Sequence, residues 1–224
     1  MNRIVTQIAA WNENGRSPKP LRTARPNWAS MSTKLGSNKA SAQKIDVGSM
    51  NEILMVDTDG LTLTAEPGVT MGELTDALLP HNLALQTHVE MESITLGGVA
   101  MGFGIETNSF KYGFFQESVL AYDFVDSYGK VHENVTAASD PELFYAMPWS
   151  QGTLGFLTKL KVKLVRTKPY VLMTYRATHS AAELQKVLMA VYSTQVGVRG
   201  RQAKLQRARS RLYRRIFEGN SFKN

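Results

Sequence analysis

The 224-residue sequence contains no cysteine. A disulfide framework, a thiolate nucleophile and any cysteine-ligated metal are therefore excluded. Long apolar runs are missing as well. Ile53-Leu54-Met55-Val56 is a typical one, far short of the roughly 18–20 residues that a membrane span needs. The opening MNRIVTQIAAWNENG breaks its apolar stretch at Thr6 and Gln7, and reads as a small amphipathic helix, not a signal peptide. Acidic residues almost vanish from 198–224, where nine lysines and arginines face Glu218 alone. The formal net charge of +7 therefore sits in that tail, and residues 1–197 are nearly neutral. A basic isoelectric point thus says little about the partners of the folded part. What remains is 43% hydrophobic and 20% charged, the proportions of a globular chain with a sizeable core.

Strands and helices alternate along the chain. Ile4 to Asn14 suits a short helix ended by Gly15. Arg16 to Asn38 reads as loop. Ile53 to Gly68 reads as two strands around the turn signal Asp59-Gly60. Thr70 and Glu73 have capping-box spacing ahead of Leu74, Ala77 and Leu78. Leu83 to Val89 suits a further strand, and Val119 to Val125 another that turns back through Tyr128-Gly129-Lys130 to Val131. Ser139 and Glu142 repeat the capping-box spacing before Leu143-Phe144-Tyr145. In LTKLKVKLV, Leu160, Val162 and Leu164 alternate with Lys159, Lys161 and Lys163, which predicts a half-buried strand with a solvated lysine face. Tyr170 to Tyr175 reads as its partner strand. Ser180 and Glu183 cap a last helix to about Tyr192. The fold class is α+β or α/β, and the hairpins favour mixed sheets.

The most informative stretch is Thr95-Leu96-Gly97-Gly98-Val99-Ala100-Met101-Gly102-Phe103-Gly104-Ile105-Glu106-Thr107. Its glycines can bring backbone N–H groups close to a ligand, forming an anion cradle suited to a diphosphate. They can equally allow a helix to pack tightly on a sheet, and spacing alone does not choose. A P-loop is excluded because Phe103 follows Gly102 where Lys is required. A dinucleotide fingerprint starting at Gly102 fails because Thr107 stands at the third glycine. A second cluster, Ser150 to Thr158, holds Gly152, Thr153 and Gly155. It reads as a turn that could present N–H and O–H donors to a polar ring edge. Trp149 reads as a core tryptophan. Glu106 either binds a ribose hydroxyl or faces water.

Five separated stretches together resemble one family. They are Ala24-Arg25-Pro26-Asn27-Trp28, Glu66 to Leu74, TLGGVAMGFGIET, Lys111 to Gln116, and DPELFYAMPWSQGTLGFLTKLKVKL. Their order and spacing are similar to those of the Δ24-sterol reductases (24-dehydrocholesterol reductase, plant Diminuto/Dwarf1), from about Arg3 to Leu188. More broadly, the chain resembles FAD-binding domains of the vanillyl-alcohol-oxidase/p-cresol-methylhydroxylase (PCMH) type. The resemblance implies an α+β fold of two α+β subdomains with FAD between them. It places Thr95 to Thr107 at the cofactor, the glycines near its diphosphate, and Gly152, Thr153 and Gly155 near the flavin. Lys111 and Tyr112 become candidates for a polar contact nearby. It further implies NADPH as electron donor and a sterol side-chain double bond as substrate. None of the four histidines lies in the glycine stretch or the early loop, so noncovalent FAD is expected. Flavin chemistry needs no catalytic triad, metal or reactive cysteine.

Family members are considerably longer. The expectation is an FAD-binding domain over 1–168, the start of a truncated substrate domain over 169–197, and a basic tail over 198–224. The substrate (cap) domain would be missing, and no catalytic residue can be named. The alternatives are a non-catalytic FAD-binding module, or an FAD-dependent oxidase with another substrate. In the tail, Leu205, Ala208, Leu212 and Ile216 make one apolar stripe. It could give peripheral contact with an anionic membrane. No nucleic-acid partner is expected, because no stacking aromatics interleave the strand lysines. The expected location is cytoplasmic or peripheral on the endoplasmic reticulum membrane.

Overall fold

The computed structural model describes residues 1–16, 19–24, 42–48, 50–168, 170 and 175–196. The early loop around Trp28, the middle of the expected Tyr170–Tyr175 strand and the basic tail lie outside them. The chain divides into two units, Met1–Tyr170 and Val171–Asn224.

In the first unit, α1 (Asn2–Glu13) buries Ile4 and Ile8, one turn apart. Strand β1 (Leu21–Thr23) pairs in parallel with β2 (Gln43–Ile45). These short strands were not expected. Ile4, Ile8, Ile45 and Met50 form a small core with Val125.

The main sheet has the order β3-β4-β8-β6-β7, and β5 also pairs with β8. Hairpin β3 (Ile53–Asp57) and β4 (Thr62–Ala65) turns where expected. Asp57 Oδ1 accepts the amides of Asp59 and Gly60 at 3.1 and 2.7 Å. Next comes α2 (Met71–Leu78), started by the Thr70–Glu73 capping box, a device that contributes about 1 kcal/mol. Strand β5 (Leu83–Leu85) is shorter than expected. Helices α3 (Leu96–Met101) and α4 (Ser109–Tyr112) follow, then β6 (Val119–Val125) and β7 (Val131–Val135), hairpinned as expected. Helix α5 (Pro141–Ala146) is capped by Asp140, whose side chain accepts the Leu143 amide at 3.0 Å. Ser139, the expected cap, instead exchanges hydrogen bonds with Thr136. Proline at the first helical position makes Asp140 the half-in residue, the proper place for a cap.

Strand β8 (Phe156–Arg166) is the spine of the sheet, pairing antiparallel with β4, β5 and β6. Every pairing in this sheet is antiparallel, and among the described strands only β1 and β2 run parallel. The apolar side of β8 joins the main core: Leu160, Val162 and Leu164 share it with Leu74 of α2, Leu96 and Val99 of α3, and Phe144 of α5. The lysine side is solvated in part only. Lys159 Nζ lies 2.6 Å from Asp123 Oδ2, a carboxylate with 3% side-chain exposure. The other oxygen accepts the amide of Asn134, a left-handed residue (φ 49°) beside the β6–β7 bulge. Lys159 therefore neutralises a buried charge that holds the hairpin's irregularity.

In the second unit, α6 (Ala181–Val196) starts at Ser180, whose hydroxyl accepts the Glu183 amide at 3.2 Å. It runs slightly further than expected. Among the described residues no helix is long and apolar enough to cross a membrane.

Candidate functional site

The start of α3 is zipped to the segment before α2. Leu96 N donates to Val69 O, Gly97 N to Pro67 O, and Met71 N to Ile94 O, at 2.8–2.9 Å. This seam explains one glycine. A Cβ on Gly97 would come within 2.5 Å of Pro67 Cβ. Gly104 is equally constrained, since its Cβ would stand 2.5 Å from Phe115 Cβ and 2.6 Å from Val99 Cγ1. These two glycines serve close packing. Gly98, between them in sequence, is exposed, and only Thr95 Oγ1 comes near its missing Cβ, at 3.1 Å. The two readings of the glycine stretch thus divide residue by residue.

In α3 and just beyond it most of the carbonyls are bound. Gln116 Nε2 donates to Val99 O at 2.6 Å, to Gly102 O at 2.9 Å and more weakly to Ala100 O at 3.3 Å. Gln151 N donates to Met101 O, Gly102 N to Gly98 O, and Phe115 N to Gly104 O. The amides of Gly98, Phe103, Gly104 and Ile105 find no acceptor among the described residues. The carbonyls of Gly98 to Gly102 and of Gly104 are therefore bound internally while several donors show no acceptor among the described residues, which is the polarity an anion requires. Phe103 and Ile105 are 76% and 63% exposed. Glu106 N is taken by Ser109 Oγ. Partial burial, and a hydrogen bond and repulsion from Glu90, push the Glu106 carboxyl above its ordinary range. Thr107 is exposed.

The structure brings the second cluster to the first through the Gln151–Met101 bond, 2.9 Å long. Residues 149–152 form a tight turn, with positive φ at Trp149, Gln151 and Gly152. Gly152 has open space where a Cβ would be, whereas a Cβ on Gly155 would lie 2.5 Å from Val125 O. Gly155 is thus a packing glycine at the sheet. The expected row of hydroxyl donors does not form. Thr153 Oγ1 donates back to Ser150 O at 2.7 Å, Ser150 Oγ faces Met101 Sδ at 3.6 Å, and Thr158 is buried in β8. Tight turns satisfy themselves first when a hydroxyl can reach a carbonyl three residues back. Trp149 is not a core residue either. It is 40% exposed and meets Phe114 edge-on at 6.2 Å. Lys111 stands over its neighbour Tyr112 at 4.7 Å.

Sequence reasoning missed the clamp by Gln116, although the residue falls within one of the family-like stretches. The available signal was a lone amide set between Phe114-Phe115 and Val119, where an apolar run leads into a strand. Among the described residues, no group of three His, Asp or Glu could hold a metal.

A family whose members are described as an FAD binding domain matches residues 10–134, more than half of the chain. The chain belongs to this FAD-binding family. The glycine stretch of α3 falls inside the match, and the second cluster lies beyond it. A Delta(24)-sterol reductase homolog of Caenorhabditis elegans is 39% identical over 193 residues, covering 82% of this chain and 36% of its own. The Delta(24)-sterol reductase of Homo sapiens is 38% identical over 172 residues, covering 77% of this chain and 33% of its own. The match thus spans about a third of the length of these relatives. Among solved structures, 6-hydroxy-D-nicotine oxidase from Arthrobacter nicotinovorans superposes with a TM-score of 0.59 at 23% identity. It covers 73% of this chain and 34% of that one. This likeness agrees with the expected α+β fold of the PCMH type.

Proposed function

We propose that the Met1–Tyr170 unit binds FAD without a covalent bond, and that the protein is an oxidoreductase of the Δ24-sterol reductase kind. The observation that carries the cofactor reading is the divided backbone of residues 98–105, where the carbonyls of 98–102 and 104 are bound internally and four amides show no acceptor among the described residues. The residues fit the group. The amides of Gly98, Phe103, Gly104 and Ile105 supply donors for a diphosphate, and backbone donors hold an anion without a charged side chain. Gly97 lends the seam that fixes the start of α3. Gly152, with open space on its Cβ side, and Thr153 bound into the same turn, offer bare backbone to a ring edge. Gly155 seats that turn on the sheet. Thr95, Leu96, Val99, Ala100 and Met101 hold the cradle's shape from the core side. Glu106 and Thr107 close its far end.

FAD, when bound, supplies hydride transfer from NADPH to a sterol side-chain double bond. The protein's part is to bind, orient and exclude water, and the exposed Phe103 and Ile105 are the apolar surface available for the last task. Purified protein tests the cofactor reading directly. Visible flavin absorption, or saturable uptake of added FAD, is expected, and release of all flavin on acid denaturation marks it as noncovalent. Colourless folded protein that takes up no FAD would overturn the reading. NADPH-dependent reduction of a Δ24 sterol then tests the activity.

A second reading, an FAD-binding module without sterol turnover, draws on that same exposure. Phe103 and Ile105 stand exposed, whereas a bulky apolar substrate needs enclosing walls. FAD uptake with no turnover would select it.

A further inference from the structure

We infer that Gln116 is a positioning residue for the cofactor, setting the direction of the free amides through the peptide groups whose carbonyls it holds. The inference rests on the FAD reading above.

Each peptide group is one rigid unit. A trans peptide is planar, so its C=O and N–H point in opposite directions. The described chain contains no cis peptide bond. Gly102 C=O and Phe103 N–H belong to one such plane. Gln116 Nε2 draws Gly102 O towards itself at 2.9 Å, so the Phe103 N–H is directed away from Gln116. The next step along the chain repeats the device. Phe115 N draws Gly104 O at 2.8 Å, so the Ile105 N–H is directed away from residue 115. Two donors without an acceptor among the described residues are thereby aimed by two neighbouring residues of one turn.

The clamp also explains why the chain leaves the helix where it does. Gly102 has φ −103° and ψ −131°, outside any helical region. A short helix has unpaired carbonyls in its last turn. Gln116 takes Val99 O on the helical side of Gly102 and Gly102 O beyond it. One side-chain amide has two N–H donors, and the two shorter bonds use both. The side chain is buried, with 4% exposure. No hydrophobic residue could substitute without stranding buried carbonyls. A glutamate of the same length would set a carboxylate against them.

That last point supplies a readout that simple loss of packing would not move. The variants are Gln116→Glu and Gln116→Leu in the full chain. Folding is checked by circular dichroism, and FAD affinity is titrated by fluorescence between about pH 5 and pH 8. Gln116→Leu is expected to weaken FAD binding by about tenfold at every pH. Gln116→Glu is expected to bind worst at high pH and to recover as pH falls, because a protonated carboxyl can donate to one carbonyl. The unsubstituted protein, which titrates at the cradle's end through the raised Glu106 carboxyl beside Glu90, is the baseline, and the recovery of Gln116→Glu should exceed it. Should Gln116→Leu fail to fold, the pH profile of Gln116→Glu carries the test alone. Hydrogen exchange at the Gly102 and Gln151 amides without FAD should quicken in both variants.

Unsubstituted protein that binds FAD, together with folded variants that bind it equally and with no pH dependence beyond that baseline, would overturn this role and leave the function standing. Unsubstituted protein that takes up no FAD would remove both. Lowered thermal stability with unchanged affinity would reduce Gln116 to a core residue and overturn the inference.

Discussion

Two turns of this protein use the same backbone materials to opposite ends. At the tip of the β6–β7 hairpin, Asp126 Oδ1 accepts the amides of Tyr128 and Lys130 at 2.8 and 3.0 Å. Its other oxygen meets His132 Nε2 at 3.0 Å, and that imidazole stacks on Phe124 at 4.6 Å. The side-chain carboxylate occupies the donors that the turn exposes. Beyond α3, no side-chain acceptor among the described residues reaches the amides of Phe103, Gly104 and Ile105. There the side chain that intervenes is Gln116, and it binds carbonyls. A turn that supplies its own anion is finished, whereas a turn that binds only its own carbonyls is left with donors for something else. The nearest carboxylates show the same division. Burial pushes Asp126 up, but the His132 contact and the two amides outweigh it and leave the carboxyl below its ordinary range. Glu106 shows no such donors among the described residues and is held above its range by partial burial and by Glu90.

The comparison is sharpened most strongly within the glycine stretch. Gly104→Ala should destabilise the protein by about 2–3 kcal/mol, because its Cβ must enter space held by Phe115 and Val99. Gly98→Ala should change stability by no more than about 1 kcal/mol, since helix propensity gains what contact with Thr95 loses. It should nevertheless weaken FAD binding several-fold by covering the open amide. Urea unfolding and FAD titration of both variants provide the check. Equal losses of stability would break the division between packing and open glycines.

A smaller effect is expected at the hairpin. Asp126→Asn removes a charged acceptor from two amides and a histidine and should cost about 1 kcal/mol at neutral pH. The sign with pH follows from the direction of the shift. A carboxyl with a folded pKa below its unfolded value stabilises above the unfolded pKa, and that stability is lost as pH falls through the folded pKa. The gap between Asp126→Asn and the unsubstituted protein should therefore narrow in acid. A gap that stays constant from neutral pH into the acid range would show that the carboxylate's charge plays no part in closing the turn.

What could be read from the sequence was whatever is decided within a few residues. The Thr70–Glu73 box and the Asp59-Gly60 and Tyr128-Gly129 turns are chemistry at separations of two to four. The alternation of β8 follows from a two-residue period. Ser139 had that same box spacing and lost to Asp140, because Pro141 fixes the helix start one residue later. Strands β1 and β2 span three residues each and pair with each other across the region between them, so no local pattern marks them. The glycines look alike in sequence. Only the positions of Pro67, Phe115 and Val125 separate Gly97, Gly104 and Gly155 from Gly98 and Gly152. Gln116 is legible only once the fold has placed it beneath carbonyls up to 17 residues away.

The smallest expected effect lies at the end of the cradle and opposes the one at the hairpin. Glu106 is only partly buried, so screening limits its contribution to stability. Its carboxyl is nevertheless raised, by burial first and then by Glu90. A carboxyl with a folded pKa above its unfolded value favours the folded state while protonated. That advantage is lost as pH rises through the folded pKa. Glu106→Gln should thus raise the melting temperature slightly at pH 7, where two neighbouring carboxylates otherwise repel, and leave it unchanged near pH 4. Asp126→Asn should do the reverse, costing most at pH 7. Thermal melts of both variants at the two pH values test the pair together. If Glu106→Gln lowered stability at neutral pH, Glu106 would have to accept a hydrogen bond on the folded protein. The two turns would then differ in degree, and the cradle would already hold an anion of its own.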